Sequence, residues 1–283
     1  MPSNHESVGI AQTIFYVPAI PITLYILVKN WPVGPRISRL SWLTLAILSL
    51  MRFTGGILVV VRESQPNNVA LAIATVVILN VGLVPLIMST LGMVGFVNGL
   101  SASTEKHALI QKTMMVFRLL FITALTLLIA GGAISLDGHS TGDHLVQAAY
   151  IIFVVMVGII IGNILHLQFR KSKLAPGSIM YLRGATFVIP FLILRIVYGV
   201  LSAFLTPYTW SPLIGSPVAF ALMALLPEYL TIATYAYLGL HRFREHAAGA
   251  GVEVGDDVDQ THTQEQVIDV NRGKGVENPD CEG

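Results

Sequence analysis

Cysteine is almost absent from this chain. One, Cys281, stands third from the end of 283 residues. A lone cysteine excludes an internal disulfide framework and any cysteine-built metal site. Charge is scarce as well. Only 12% of residues are Asp, Glu, Lys or Arg, against about 25% in soluble domains. With 54% of the chain apolar and a mean hydropathy of +0.70, a water-soluble globular protein is excluded. No lysine sits at depth in an apolar stretch, which rules out a retinal Schiff base. Walker A, H-E-x-x-H and G-x-S-x-G patterns are missing. So are the acidic-Arg-Tyr and Asn-Pro-x-x-Tyr switches of animal heptahelical receptors. No nucleophile, base and orienting group fall on convergent faces. The expectation is a non-enzymatic protein without cofactor, metal or nucleic-acid partner.

What is present is long apolar runs. A bilayer crossing takes about 20 residues with few charges, and seven stretches qualify: 8–29, 40–61, 69–97, 114–136, 145–168, 180–205 and 217–240. The third is longer than a crossing needs and is expected to tilt or to extend beyond the hydrocarbon. Between the runs lie turn formers such as Gln65-Pro66-Asn67-Asn68, Asp137-Gly138 and Ala175-Pro176-Gly177. No run alternates with period two, so strands are excluded. The fold class is all-α, a polytopic seven-transmembrane-helix bundle whose immediate partner is the lipid bilayer of a membrane left unspecified.

The small net charge of +1 conceals a division. Residues 245–283 carry ten acids and two bases, and residues 1–244 carry six acids and fifteen bases. Eleven bases, Lys29, Arg36, Arg39, Lys106, Lys112, Arg170, Lys171, Lys173, Arg183, Arg242 and Arg244, fall on the side of the odd-numbered loops and the tail; Arg62 alone falls opposite. By the positive-inside rule the N-terminus is outside and the C-terminus cytoplasmic. The first run lacks a basic leader and reads as a retained span. This divides the chain into a 1–244 transmembrane domain and a 245–283 acidic tail, too poor in apolar residues to offset its chain entropy and so expected to be disordered.

Ionisable residues at mid-membrane are costly and mark function by default. Arg52, Arg195 and Glu228 lie near the middle of spans two, six and seven. All three are expected to converge on one polar cluster, because each would otherwise meet lipid. Spans six and seven are joined by a short loop, which suggests Arg195–Glu228 as the direct pair, with Tyr198 adding a donor and Arg52 left free for a ligand. Gly56 and Gly199, four residues after each arginine, leave room on the same helical face. Asn80 and Asn163 add polar groups that need partners inside the bundle. Two readings of the cluster stand side by side. A Glu228 ion pair would fix helix packing, whereas the surplus positive charge would suit an anionic head group held in a guanidinium fork.

Other features are weaker. Pro18, Pro21, Pro85, Pro190 and Pro227 predict kinks, and Gly158-x-x-x-Gly162 predicts close packing within the chain. The His139, Asp143 and His144 segment reads as a polar turn rather than a metal site. A shift of 141–143 residues carries Lys29 to Lys171, Pro35 to Pro176, Arg52 to Arg195 and Pro85 to Pro227, the pattern of a parallel internal repeat.

The segments Arg52-Phe-Thr-Gly-Gly56, Leu194-Arg-Ile-Val-Tyr198-Gly and Leu226-Pro-Glu228-Tyr, set in seven spans with a short acidic tail, resemble an uncharacterised fungal family of integral membrane proteins. That family is known as a domain of unknown function, and the resemblance runs over roughly residues 5–245. The layout is distantly similar to the RTA-like lipid-translocating exporters. This second likeness implies a transporter or translocase of an amphipathic or anionic lipid-like substrate. A receptor-like sensor coupled to a cytoplasmic partner, or a membrane scaffold, would have the same composition.

Overall fold

The computed structural model describes residues 4–31, 36–65, 67–101, 104–136, 140–171, 174, 176–205, 210 and 215–241. Among them every regular element is a helix: α1 Asn4–Asn30, α2 Arg36–Ser64, α3 Val69–Val81, α4 Leu83–Ser101, α5 Thr104–Leu136, α6 Ser140–Phe169, α7 Pro176–Phe204 and α8 Pro217–His241. Seven helical segments are long and apolar enough to cross a membrane, α3 and α4 together making the third, with mean hydropathies from 1.5 to 2.6. The chain divides into two compact units, Met1–Gly239 and Leu240–Gly283. The helices and contacts below belong to the first, apart from the last two residues of α8. The acidic tail lies outside the described residues, as do Asp137, Gly138 and His139.

Local chemistry sets several helix ends. The Asn68 side chain accepts from the Leu71 amide at 3.2 Å and caps α3. Ser216 accepts from Ala219 at 3.4 Å ahead of Pro217, which opens α8 where its missing N–H costs nothing. α5 begins ten residues before the apolar run and is 33 residues long, about 50 Å at 1.5 Å per residue. It therefore outreaches a hydrocarbon layer of about 30 Å.

The long third run resolves into two helices interrupted at Gly82. Pro85 has no amide to donate, and its ring crowds the carbonyl of Val81 four residues back. α4 then lies at the centre of the bundle, with residues 82–97 buried on every face among α2, α5, α6 and α7. The perimeter is the inverse. Met115, Leu119 and Ile122 on α5 and Ile151, Val155 and Ile159 on α6 are exposed, which is the pattern of helices facing lipid tails.

Close approaches fall at glycines other than the motif expected to make them. A Cβ on Gly56 would overlap the Gly9 carbonyl and Thr13 of α1, and one on Gly131 would overlap the Gly142 carbonyl of α6. Gly158 and Gly162 face outward with nothing within 4 Å of an added Cβ. The G-x-x-x-G pattern therefore packs no helix within the chain. Of the five span prolines, Pro18 and Pro21 sit inside a continuous α1 and Pro190 inside a continuous α7. Pro227 follows a π-helical turn, Ala221–Leu225, the widening that a missing backbone donor favours.

Candidate functional site

Arg52, Arg195 and Glu228 meet in one buried node where α2, α3, α7 and α8 come together. The side chains of Arg52 and Glu228 are fully buried and that of Arg195 is 2% exposed. Arg52 grips the carboxylate with two donors, Nε to Oε2 and Nη2 to Oε1. Arg195 donates through Nε to Oε1 at 2.5 Å. Both guanidinium groups also donate to one backbone oxygen, the Leu79 carbonyl: Arg52 Nη1 at 3.2 Å and Arg195 Nη2 at 3.4 Å. Leu79 lies in the last turn of α3, where carbonyls lose their in-helix donors and the helix dipole is negative. The break at Gly82 thus supplies the acceptor that one carboxylate cannot.

Space for the node comes from the same break. A Cβ on Gly82 would overlap Nε, Cζ and Nη2 of Arg52, so the guanidinium lies directly on the Gly82 backbone. Gly199 serves a different group, the ring of Tyr150 from α6. The Tyr150 hydroxyl donates to Asn80 Oδ1 at 3.2 Å and also interacts with Arg195. Gln12 of α1 reaches the node from another side, its Nε2 donating to the Arg52 carbonyl at 2.5 Å.

Several sequence expectations change here. Arg52, expected to be the free cation, is the one held by two carboxylate bonds; Arg195 has one. Tyr198 is no donor to Glu228. Its ring lies under the Arg195 guanidinium, 5.9 Å from Cζ to centroid, and packs against Trp210 and Phe220. That is a cation–π contact. Asn80 does reach the node's edge through Tyr150. Asn163 does not: its amide donates to the Ile159 carbonyl of its own helix at 2.9 Å. Gly56 packs α1 rather than Arg52. Arg118 is exposed on α5. Thr231 donates to its own turn at Pro227, and Tyr235 donates across to Thr90 of α4 at 2.9 Å.

Sequence reasoning missed Gln12, Leu79, Gly82 and Tyr150. Gln12 was visible as an amide inside an apolar run, and Gly82 with Pro85 as a helix-break signal. Tyr150 and the Leu79 carbonyl had no distinguishing sequence mark. Among the described residues no group of three or more His, Cys, Asp or Glu is placed to hold a metal ion.

Chemically, the node is two permanent cations sharing one anion, with an excess positive charge spread over a helix end and an aromatic face. It ties four helices at the two positions, Gly82 and the turn before Pro227, where helical hydrogen bonding is interrupted. The comparisons with known proteins add one result. Residues 3–245 match the family described as a domain of unknown function, DUF7702, and the chain belongs to it. No curated protein and no solved structure matches.

Proposed function

We propose that this member of the DUF7702 family is a transporter or translocase of an amphipathic, anionic lipid-like molecule, acting without covalent chemistry. The observation that carries the reading is the sharing of Glu228 by Arg52 and Arg195 beside two interrupted helices. Interrupted helices with charged groups near mid-span are the construction by which many transporters bind and move a substrate. An anionic head group would compete with Glu228 for a guanidinium fork, which is a differential contact able to shift one arrangement of the bundle to another.

Arg195 is the mobile partner in this scheme. Besides its contacts to Tyr150 and the Tyr198 ring, it has one carboxylate bond and a long contact to Leu79. Arg52, by contrast, holds Glu228 with two nitrogens and Leu79 with a third. The N-terminus faces outside and the tail the cytoplasm, in keeping with the eleven-to-one placement of basic residues. The distant likeness of the layout to the RTA-like exporters points to the same substrate class.

Reconstitution into liposomes with a panel of fluorescent anionic lipids and small anionic solutes tests the proposal. Wild-type protein is expected to accelerate flip or uptake of at least one panel member, and Arg195→Gln to abolish it while the protein still folds. Binding without flux would favour the sensor reading. Normal flux in Arg195→Gln would remove the arginine from the mechanism.

A further inference from the structure

α1 and α8 run side by side and touch at two levels. Asn30 Nδ2 donates to the Gly239 carbonyl at 3.3 Å, and the Tyr229 ring meets Phe15 and Tyr16 edge-on with centroids 5.7 and 6.0 Å apart. Next to the Tyr229 contact a cleft of about 240 Å³ opens between the two helices. Its mouth is formed by exposed residues, among them Phe15, Leu222 and Leu226. These face the surroundings of the bundle, so the entry is lateral, from the bilayer. The α8 wall includes Ala221, Leu222 and Leu225 of the π-helical turn, a local irregularity that recurs at functional sites.

The back of the cleft is chemically unlike its mouth. Gln12 and Tyr16, one turn apart on α1, line it and are 2% and 1% exposed. Gln12 Oε1 and the Tyr16 hydroxyl are buried without a hydrogen-bond partner. The amide orientation is not arbitrary, since Nε2 must face the Arg52 carbonyl, which leaves Oε1 as the free acceptor. An unsatisfied buried polar atom costs about 1–3 kcal/mol, and two of them one turn apart on the same helical face invite a common partner. Tyr16 gives up no hydrogen bond when its side chain turns toward a ligand, and Gln12 can offer Oε1 while its Nε2 stays on the Arg52 carbonyl.

We propose that this cleft binds a neutral lipid bearing a single hydroxyl group. A hydroxyl both donates and accepts, so one such group donates to Gln12 Oε1 and accepts from Tyr16. An ionised carboxylate or phosphodiester has no proton to offer Oε1. A cationic amine is disfavoured by the surplus positive charge behind the cleft, since Arg52 and Arg195 both lie within electrostatic reach of Tyr16. Water is a poor occupant. The volume equals that of about eight waters, each needing two to four polar partners, and the wall offers almost none beyond these two. Drug-sized ligands fill roughly 300–1,000 Å³, so the cleft takes the head and first segment of a lipid whose remainder stays among the acyl chains. Binding there bears on α2 beside the charge node, through the Gln12 bond to the Arg52 main-chain carbonyl.

The test uses the full chain in phosphatidylcholine vesicles with a photoreactive long-chain alcohol at trace level. Cross-links are mapped by mass spectrometry, with competition by unlabelled hexadecanol, a diacylglycerol, a sterol and the methyl ether of hexadecanol. Cross-links are expected within residues 8–16 and 221–229. The ether, which cannot donate, is expected to compete about fivefold less well than the alcohol, the factor a neutral hydrogen bond is worth. The diacylglycerol and sterol arms report whether a flexible or a rigid body is preferred. Tyr16→Phe removes no hydrogen bond within the protein and is expected to weaken labelling severalfold with thermal stability unchanged. Ala221→Trp, which fills the cleft, is expected to abolish labelling, and Tyr16→Phe decides the matter if that variant does not fold. Cross-links spread evenly around the bundle, equal competition by the ether, or full labelling of Tyr16→Phe would each overturn the site. The outcome is independent of flux, which concerns an anionic substrate and Arg195.

Discussion

At the scale of single residues, the node is governed by how few acceptors the bundle offers two guanidinium groups. Glu228 receives three N–H donors and the Leu79 carbonyl two more. Removing the shared anion leaves two buried cations uncompensated, and breaking a buried pair costs about 3–5 kcal/mol. Glu228→Gln is therefore expected to lower detergent-solubilised thermal stability more than either arginine change alone. Adding Arg195→Gln to it is expected to restore part of the loss, because the residual cation then has Leu79 to itself. Arg52→Gln is expected to cost more than Arg195→Gln, in the order of their carboxylate bonds. Thermal unfolding of the four variants checks both orders, and equal losses for the two arginines would contradict the asymmetric clamp. Asn163 is the control: bonded to its own helix, it is expected to tolerate Asn163→Ala within about 0.5 kcal/mol, as substitutions away from special features do.

Between residues and the whole lie the helices, and here the informative feature is an interruption. Replacing a proline inside a helix ordinarily stabilises, since a helix-interior proline costs about 3 kcal/mol. Pro85 is expected to behave in the opposite sense. With Pro85→Ala the restored amide can pair with the Val81 carbonyl four residues back. The helix then closes across Gly82, so that the Leu83 amide draws the Leu79 carbonyl into the backbone ladder and away from both arginines. Thermal stability is expected to fall, and Gly82→Ala to fall further because its Cβ overlaps the Arg52 guanidinium. A rise in stability on Pro85→Ala would mean the interruption serves no partner.

The same element shows where sequence reading reached and where it stopped. Seven spans were legible because each is an apolar run of bilayer length, and the convergence of Arg52, Arg195 and Glu228 was legible because an isolated charge has nowhere else to go. Which arginine holds Glu228 was not. That depends on the rotation of α2 about its axis and on a carbonyl freed at Gly82, and neither leaves a periodic trace in a helix that is apolar all round. Tyr198 and Asn163 were misplaced for a related reason. A tyrosine can offer its face instead of its hydroxyl, and an asparagine can bond its own helix.

For the molecule as a whole, charge distribution sets the two remaining expectations. Residues 245–283, with ten acids against two bases, are expected from their composition to form no core. Truncation after Arg244 is expected to leave the unfolding temperature of the extracted protein within a degree or two, and a large drop would reveal a docked tail.

Orientation rests on a different property, the reluctance of lysine and arginine near span ends to be carried across the membrane. The node is consistent with alternating crossings. Arg52, Leu79, Arg195 and Glu228 each lie between a third and two-thirds of the way along their own spans, and successive spans running in opposite senses bring those positions to one depth, as their shared hydrogen bonds require. Alternation alone leaves two mirror choices, and the eleven bases against Arg62 are the ground on which we propose the one with the N-terminus outside. Single-cysteine labelling of intact cells, after replacement of Cys281, separates them. An impermeant maleimide is expected to reach a cysteine placed at Gly138 and to miss one placed at Ser172 until the membrane is permeabilised. The opposite pattern would invert the bundle while leaving the node intact, because three side chains and a carbonyl meeting near mid-depth are the same from either side.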